Sequence, residues 1–438
     1  MSFRVGESAN FVTEQKMVET CAQRIKRMRA ETQPLKLSRA EKTETWNVVD
    51  AEGVFMEILS RVSVKSILSF KTLSKHWHES ISTKYFYKLQ LAQSRKNPSY
   101  IVCPIMETAM KLYSMDARSF ELSPLNIIDH SERSHEEFMY MISSFNGLIC
   151  CVNSICDEDV ESKFCDLQIW LCNPCTGETL LLPQGRPSFE FEPSVGVAYS
   201  SDTSDYRVFR IFCTGKKIPE ERESVEGYYF REGQLFPKYR YALAYECEVY
   251  SSSTGSWKNI GPVPCVPMRS GLRPYRTGHI FVGGKIYWLV SLDEPGEILS
   301  IDLEGRFEVI NLPEYPDNQK GEDQITDATH LIILQGSLAL LVLHPGYMDI
   351  WVWKDDGEKY SWVPILKDHS IPIEDDELVL TITSLKNKII CVTETHWRIY
   401  DVETEIWKKI RGPRTGFGNP AVFPFTESIL PCNGGVKL

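Results

Sequence analysis

The spacing of apolar residues changes once along the chain, near residue 98. Ahead of that point the spacing is helical. Val54, Phe55, Ile58, Leu59 and Val62 stand at i, i+1, i+4, i+5 and i+8, which predicts one helix with a single apolar stripe. Asp50 is placed to cap it, and Ser63 to cap a second helix carrying Val64, Ile67, Leu68 and Phe70. Ser74 opens a third helix carrying Trp77 and Ile81. Three helices within residues 50–90 are too few to close a core alone. Their outer apolar side chains are therefore expected to face a partner or another domain. Residues 1–49 are mixed in charge. Val12, Cys21, Ile25 and Met28 stand roughly on one helical face, and Lys26, Arg27 and Arg29 form a weak nuclear-import-like cluster. The expectation is a solvated, partly disordered leader.

After residue 98 the period becomes two. Leu148–Val152, Leu167–Leu171, Arg207–Phe212, Glu246–Tyr250, Lys285–Val290, Leu338–Leu343 and Ile389–Thr393 are among many runs that read as strands between short turn signals. The apolar stretch Leu331–Leu343, broken by Gln335, Gly336 and Ser337, reads as a strand pair and is too short to span a bilayer. One unit recurs: an apolar strand, a Gly or small-residue turn, a second strand, a polar turn, then an apolar pair and Pro. HIFVGGKIYWLVSLDEPGEILSIDLEGRFEVINLP is a full copy. Ser252, Asp302, Lys354 and Asp401 mark copies about 50 residues apart, the blade period of kelch-type propellers. With a first blade in YIVCPIMETAMKLYSMDARSFEL, the count is about six. The closing AVFPFTESILPC is expected to supply a strand that seals the ring. Trp257, Trp362 and Trp407 follow equivalent turns and are expected to pack between blades. Residues 215–241 break the period and read as an inserted loop on one face, a place where function concentrates. The fold class is thus mainly β: a kelch-like β-propeller behind a small three-helix module.

Composition narrows the functions. A formal net charge of −11 argues against a dedicated nucleic-acid binder. The first residues, MSFRVGESAN, hold no apolar signal core. An odd count of 13 Cys without regular spacing suits a reduced intracellular protein, expected in the nucleus, the cytoplasm or both. Cys172 and Cys175 form a Cys-x-x-Cys with no second pair at zinc spacing, so they read as structural thiols in a turn. His279, His330, His344, His369 and His396 are scattered, and Glu374–Glu377 reads as a solvated acidic loop. No Walker motif, dinucleotide fingerprint, Gly-x-Ser-x-Gly or His-Glu-x-x-His is present. No cofactor or metal is expected, and a propeller enzyme has no visible constellation.

Residues 54–86, VFMEILSRVSVKSILSFKTLSKHWHESISTKYF, resemble the F-box. Residues 98–432 resemble the F-box-associated domain of the large plant F-box family, through FNGLICC, CNPCTGE, SVGVAYSSDTSDYRVFRIF, EVYSSSTGSWKNI, GGKIYWL, ILSIDL and FTESIL. The resemblance implies a non-catalytic, substrate-recognition subunit of a Skp–cullin–F-box ubiquitin ligase. Its helices would bind a Skp-type adaptor, and through it cullin and RING subunits, while the propeller holds a protein target. The adaptor-binding residues it implies are Val54, Phe55, Ile58, Leu59, Ile67, Leu68 and Trp77. Burying these would give on the order of 10 kcal/mol gross, at about 1.5–3 each, much of it offset by association entropy. Phe70 and Leu73 would hold the helices together. Two departures stand out: Asp50-Ala51 occupies the place of the family's Leu-Pro, and Ser63 that of a Pro. The first keeps a ligase-independent propeller scaffold open as the alternative.

Overall fold

The computed structural model describes residues 51–103, 111–125, 139–156, 164–189, 192–200, 205–218, 225–231, 234–239, 242–267, 278–291, 296–313, 329–355, 360–373, 379–393, 396–411 and 420–433. Asp50, the leader and the acidic run Glu374–Glu377 lie outside them.

Among the described residues the helices number four, one more than the spacing predicts: α1 Ala51–Leu59, α2 Val64–Lys71, α3 Lys75–Ile81 and α4 Lys84–Ser94. Three start on a hydroxyl cap. Ser63 Oγ accepts from Ser66 N at 3.2 Å, Ser74 Oγ from Trp77 N at 3.3 Å, and Thr83 Oγ1 from Phe86 N at 3.2 Å. Each satisfies an otherwise orphaned helical N–H. Apolar spacing does not reveal α4, because Tyr85, Phe86 and Tyr87 are consecutive aromatics, which suit a strand as well as a helix.

Six antiparallel blades follow. The first pairs β1 Ser99–Cys103, β2 Tyr113–Met115 and β3 Leu122–Pro124 with a strand from the far end of the chain. The second is β4 Met139–Phe145, β5 Leu148–Cys156, β6 Phe164–Asn173 and β7 Glu178–Leu181, with β8 Ser188–Phe189 added on β6. In the third, β9 Ser194–Tyr199 and β10 Tyr206–Ile218 are followed by a separate hairpin, β11 Val225–Arg231 with β12 Gln234–Tyr239, before β13 Ala242–Ser251 and β14 Ser256–Pro262. The fourth is β15 Ile280–Val282, β16 Lys285–Ser291, β17 Glu297–Asp302 and β18 Phe307–Asn311. The fifth is β19 Thr329–Leu334, β20 Ser337–His344, β21 Tyr347–Asp355 and β22 Tyr360–Ser370; the sixth is β23 Val379–Leu385, β24 Lys388–Thr393, β25 His396–Asp401 and β26 Ile406–Arg411. Finally β27, Ala421–Phe425, pairs with β1 in register from Ser99↔Phe425 to Cys103↔Ala421. The last strand is thus the innermost strand of the first blade, and it closes the ring as the sequence predicts.

Period-two burial explains the packing: each strand turns alternate apolar side chains to the blades on its two sides. Ile389 and Cys391 join one cluster with fifth-blade residues, while Ile390 and Val392 join another with Tyr100 and Val422. The three repeating tryptophans do what their spacing suggests. Trp257 Nε1 donates to Pro183 O at 2.7 Å, Trp362 Nε1 to Asn311 O at 2.8 Å and Trp407 Nε1 to Ser370 O at 3.1 Å. Each sits on the outer strand of its blade and fastens it to the chain leaving the previous one. Residues 215–241 depart from expectation. They are not a plain loop: β10 runs on to Ile218, and the described part of the insertion forms the β11–β12 hairpin, with pairing from Val225↔Tyr239 to Arg231↔Gln234.

Candidate protein-docking surface

The helical module does not stand apart from the propeller. Met56, Leu59, Val64, Ile67, Ile81, Phe86 and Tyr87 are buried in one cluster with Leu148, Cys150, Ile429, Leu430 and Cys432 of the second blade and the C-terminal segment. The expectation that the helices' apolar side chains face a partner or another domain is met, on this side, by the chain's own propeller.

The seam between them is polar as well as apolar. Gln90 of α4 is 1% exposed. Its Nε2 donates to Glu427 O at 3.3 Å and its Oε1 accepts from Ile429 N at 3.3 Å. On the other side of that segment Asn173 Nδ2 donates to Ser428 O at 3.1 Å and Leu430 O at 2.8 Å. Its Oδ1 accepts from Cys175 N at 2.9 Å, so one side chain shapes the Cys-Asn-Pro-Cys turn and holds the segment. Ser428 Oγ donates to Asn146 O at 2.7 Å. Gly147 follows at φ +84°, and a Cβ there would meet Ser428 Oγ at 2.1 Å; only glycine fits both demands. Thr426–Cys432 is thus a strap, clasped between α4 and the turns of the second blade. Cys432 N donates to Glu178 Oε1 at 3.0 Å. Burial holds the Glu178 carboxyl above its usual range, against the pull of that hydrogen bond and of Lys71 on α2.

The strand order fixes which side of the propeller carries the module. In a four-stranded up-and-down blade, the first-to-second and third-to-fourth turns share one face and the second-to-third links lie on the other. α4 leads into β1, the second strand of its blade, and so reaches the first face. Contacts agree: Arg95 Nη2 donates to Asn146 Oδ1 at 2.5 Å in the β4–β5 turn, and Lys386 Nζ of the β23–β24 turn donates to Lys96 O at 3.2 Å. The β11–β12 hairpin links second and third strands, and so lies on the opposite face.

The seven residues implied as adaptor contacts divide by burial. Val54 and Ile58 are 45% and 61% exposed. Phe55, Leu68 and Trp77 are half-buried, with Trp77 set between Phe55 at 4.9 Å and Phe70 at 5.4 Å between ring centroids. Leu59 and Ile67, at 4% and 0%, face inward, because the helices pack on each other and on the strap. Leu73 is not one of the residues holding the helices together; it is 62% exposed. Tyr85, which the spacing analysis did not single out, is 61% exposed. Single exposed apolar residues are ordinary, but Ile58, Leu73 and Tyr85 stand on one small module whose inner side is already covered. Spacing finds stripes; it does not say which edge of a stripe the rest of the chain covers.

No metal-binding group of three or more His, Cys, Asp or Glu is present among the described residues. Cys172 and Cys175 are both unbridged, one buried in β6 and one half-buried in its turn. Comparison with known proteins gives the arrangement its family. Residues 103–431 match the F-box associated beta propeller domain, and residues 52–89 match the F-box domain. F-box protein At5g49610 of Arabidopsis thaliana is 24% identical over 87% of this chain and 97% of its own length. F-box protein At5g07610 of the same plant is 23% identical over 72% of this chain and 69% of its own. A chain from a nidogen–laminin complex aligns over 75% of this chain and 99% of its own, at a TM-score of 0.42 and 8% identity, a likeness that carries no functional argument. A helical module matching the F-box, strapped to a closed ring that matches the associated propeller over most of its length, places this chain in the family of F-box proteins with an F-box-associated β-propeller domain.

Proposed function

We propose that this chain is the substrate-recognition subunit of a Skp–cullin–F-box ubiquitin ligase. The observation that carries the reading is the division of the F-box surface: an inner side buried against the propeller and strap, and an outer side that leaves Ile58, Leu73 and Tyr85 in solvent. An adaptor that buries these three would gain roughly 1.5–3 kcal/mol from each. The chain itself supplies no reacting group in this role. It holds a protein target near a charged conjugating enzyme and raises the local concentration of its lysines. The seam built by Gln90, Asn173 and the strap fixes the angle at which the target is offered. Target contacts fall on the face bearing the β11–β12 hairpin, across a ring roughly 20 Å thick for strands of about six residues. That arrangement keeps adaptor and target from competing for one surface. Nucleus and cytoplasm, where such ligases work on reduced proteins, are the proposed compartments.

Co-expression of the full chain with a Skp-type adaptor tests the reading. The expected result is a 1:1 complex on light scattering that recruits cullin. Separate elution of the two proteins would remove the ligase reading. It would favour a scaffold independent of the ligase, the alternative kept open by Asp50-Ala51 standing where the family resemblance expects Leu-Pro.

A further inference from the structure

The six inner strands enclose a cavity of about 540 Å³ on the propeller axis. Each strand gives it at least one apolar wall residue, among them Ile142, Val197, Ile280, Ile332, Ile382 and Phe423. An inner strand pairs on one side only, so its other edge turns unpaired backbone groups to the axis. The size falls within the range of small-molecule sites, about 300–1,000 Å³, and so does the mixture of apolar wall with a few polar groups.

Two polar side chains bear on this cavity, and one of them, Arg95, has unused hydrogen-bonding capacity there. Arg95 stands at its mouth, on the face that carries the helices, with its guanidinium 6.0 Å from the Tyr199 ring. One of its N–H groups goes to Asn146, and it makes no ion pair with the described residues. His279, 6% exposed, is part of the wall. Its Nε2 accepts from Val197 N at 3.1 Å, which leaves the ring proton of the neutral imidazole on Nδ1. That Nδ1 is buried without a partner. Among the residues that line the cavity none is an Asp or a Glu.

From these features we infer that the axial cavity is a binding site for a small amphipathic carboxylate. Its acid group meets the Arg95 guanidinium at the mouth, and its apolar body lies on the six-strand wall. The inference stands apart from the ligase reading, because binding is measured on the chain alone.

The test uses the photoreactive probe 4-benzoylbenzoate, with its neutral amide as the control, titrated into the full chain by calorimetry. The expected result is one saturable site with the carboxylate favoured about tenfold or more over the amide, the usual strength of a charge-assisted hydrogen bond. Arg95→Gln should abolish that preference while lowering the melting temperature of the unliganded chain only slightly, since the side chain is exposed and its bond to Asn146 is one of several across the seam. On irradiation, adducts should map to residues 139–145, 194–199, 280–282, 329–334, 379–385 and 421–425. Absence of binding, equal affinity for the two probes, a carboxylate preference that survives Arg95→Gln, or adducts confined to the outer surface or the F-box would each overturn it.

Discussion

Ile58 and Leu59 are neighbours on one helix with opposite surroundings, and single substitutions separate their roles. Leu59 is 4% exposed, so Leu59→Ala should cost about 2–5 kcal/mol in urea denaturation, and a charge there more. Loss of adaptor binding by such a variant would report unfolding, not contact. Ile58→Asp changes a residue 61% exposed and should stay within about 0.5 kcal/mol of the parent. His279 gives a prediction in pH. Burial holds its pKa down to about 4, below its ordinary 6.5, so the fold favours the neutral ring. Its contribution is full above pH 6.5 and is lost as the pH falls from there toward 4. The denaturation midpoint of the parent should fall across that window, and His279→Asn should flatten the fall. An unchanged slope in the variant would show that the imidazole does not titrate in this way. The sequence shows His279 only as one of several scattered histidines. Its character comes from burial against a different blade, where Val197 N donates to it, and no local pattern contains that.

Among the elements, what was legible follows the distance over which each device acts. Hydroxyl caps act across three residues, and Ser63 and Ser74 were readable as such. The tryptophan staples reach a neighbouring blade, yet they recur after equivalent turns, so repetition exposed them. The closing segment was readable as a strand, which Ala421–Phe425 forms, but not as the strap that follows at Thr426–Cys432. Gln90 meets it across 337 positions of chain, and nothing near Gln90 hints at a partner. Gln90→Leu should leave the Ile429 amide and Glu427 carbonyl without their side-chain partner, at about 1–3 kcal/mol. Hydrogen exchange should show faster opening at residues 427–432 with the ring strands unchanged. Uniform acceleration across all blades would mean the strap has no local stability of its own. Gly147→Ala probes the same clasp from below. With φ at +84° and Ser428 Oγ in the way, it should destabilise by more than the usual 1 kcal/mol of a lost glycine conformation.

At the scale of the whole molecule, the period of about 50 residues was enough to predict a ring of about six blades and its closure by the last strand. It was not enough to show how the helices join it, because the seam is made of Gln90, Asn173 and the strap, drawn from three distant parts of the chain. Strand order sets the F-box on one face of the ring and the β11–β12 hairpin on the other. Replacing residues 219–241 by a short Gly-Ser turn should leave the melting temperature and adaptor binding close to the parent while removing captured targets, read by affinity purification and mass spectrometry. Targets retained at parental levels would move recognition elsewhere on the ring. The measurement that bears most directly on the account is a calorimetric titration of a Skp-type adaptor into the full chain and into Ile58→Asp, with melting temperatures recorded in parallel. Saturable binding by the parent and a loss of about tenfold or more in the equally stable variant are expected. Equal affinity in both, or none in the parent, would contradict it.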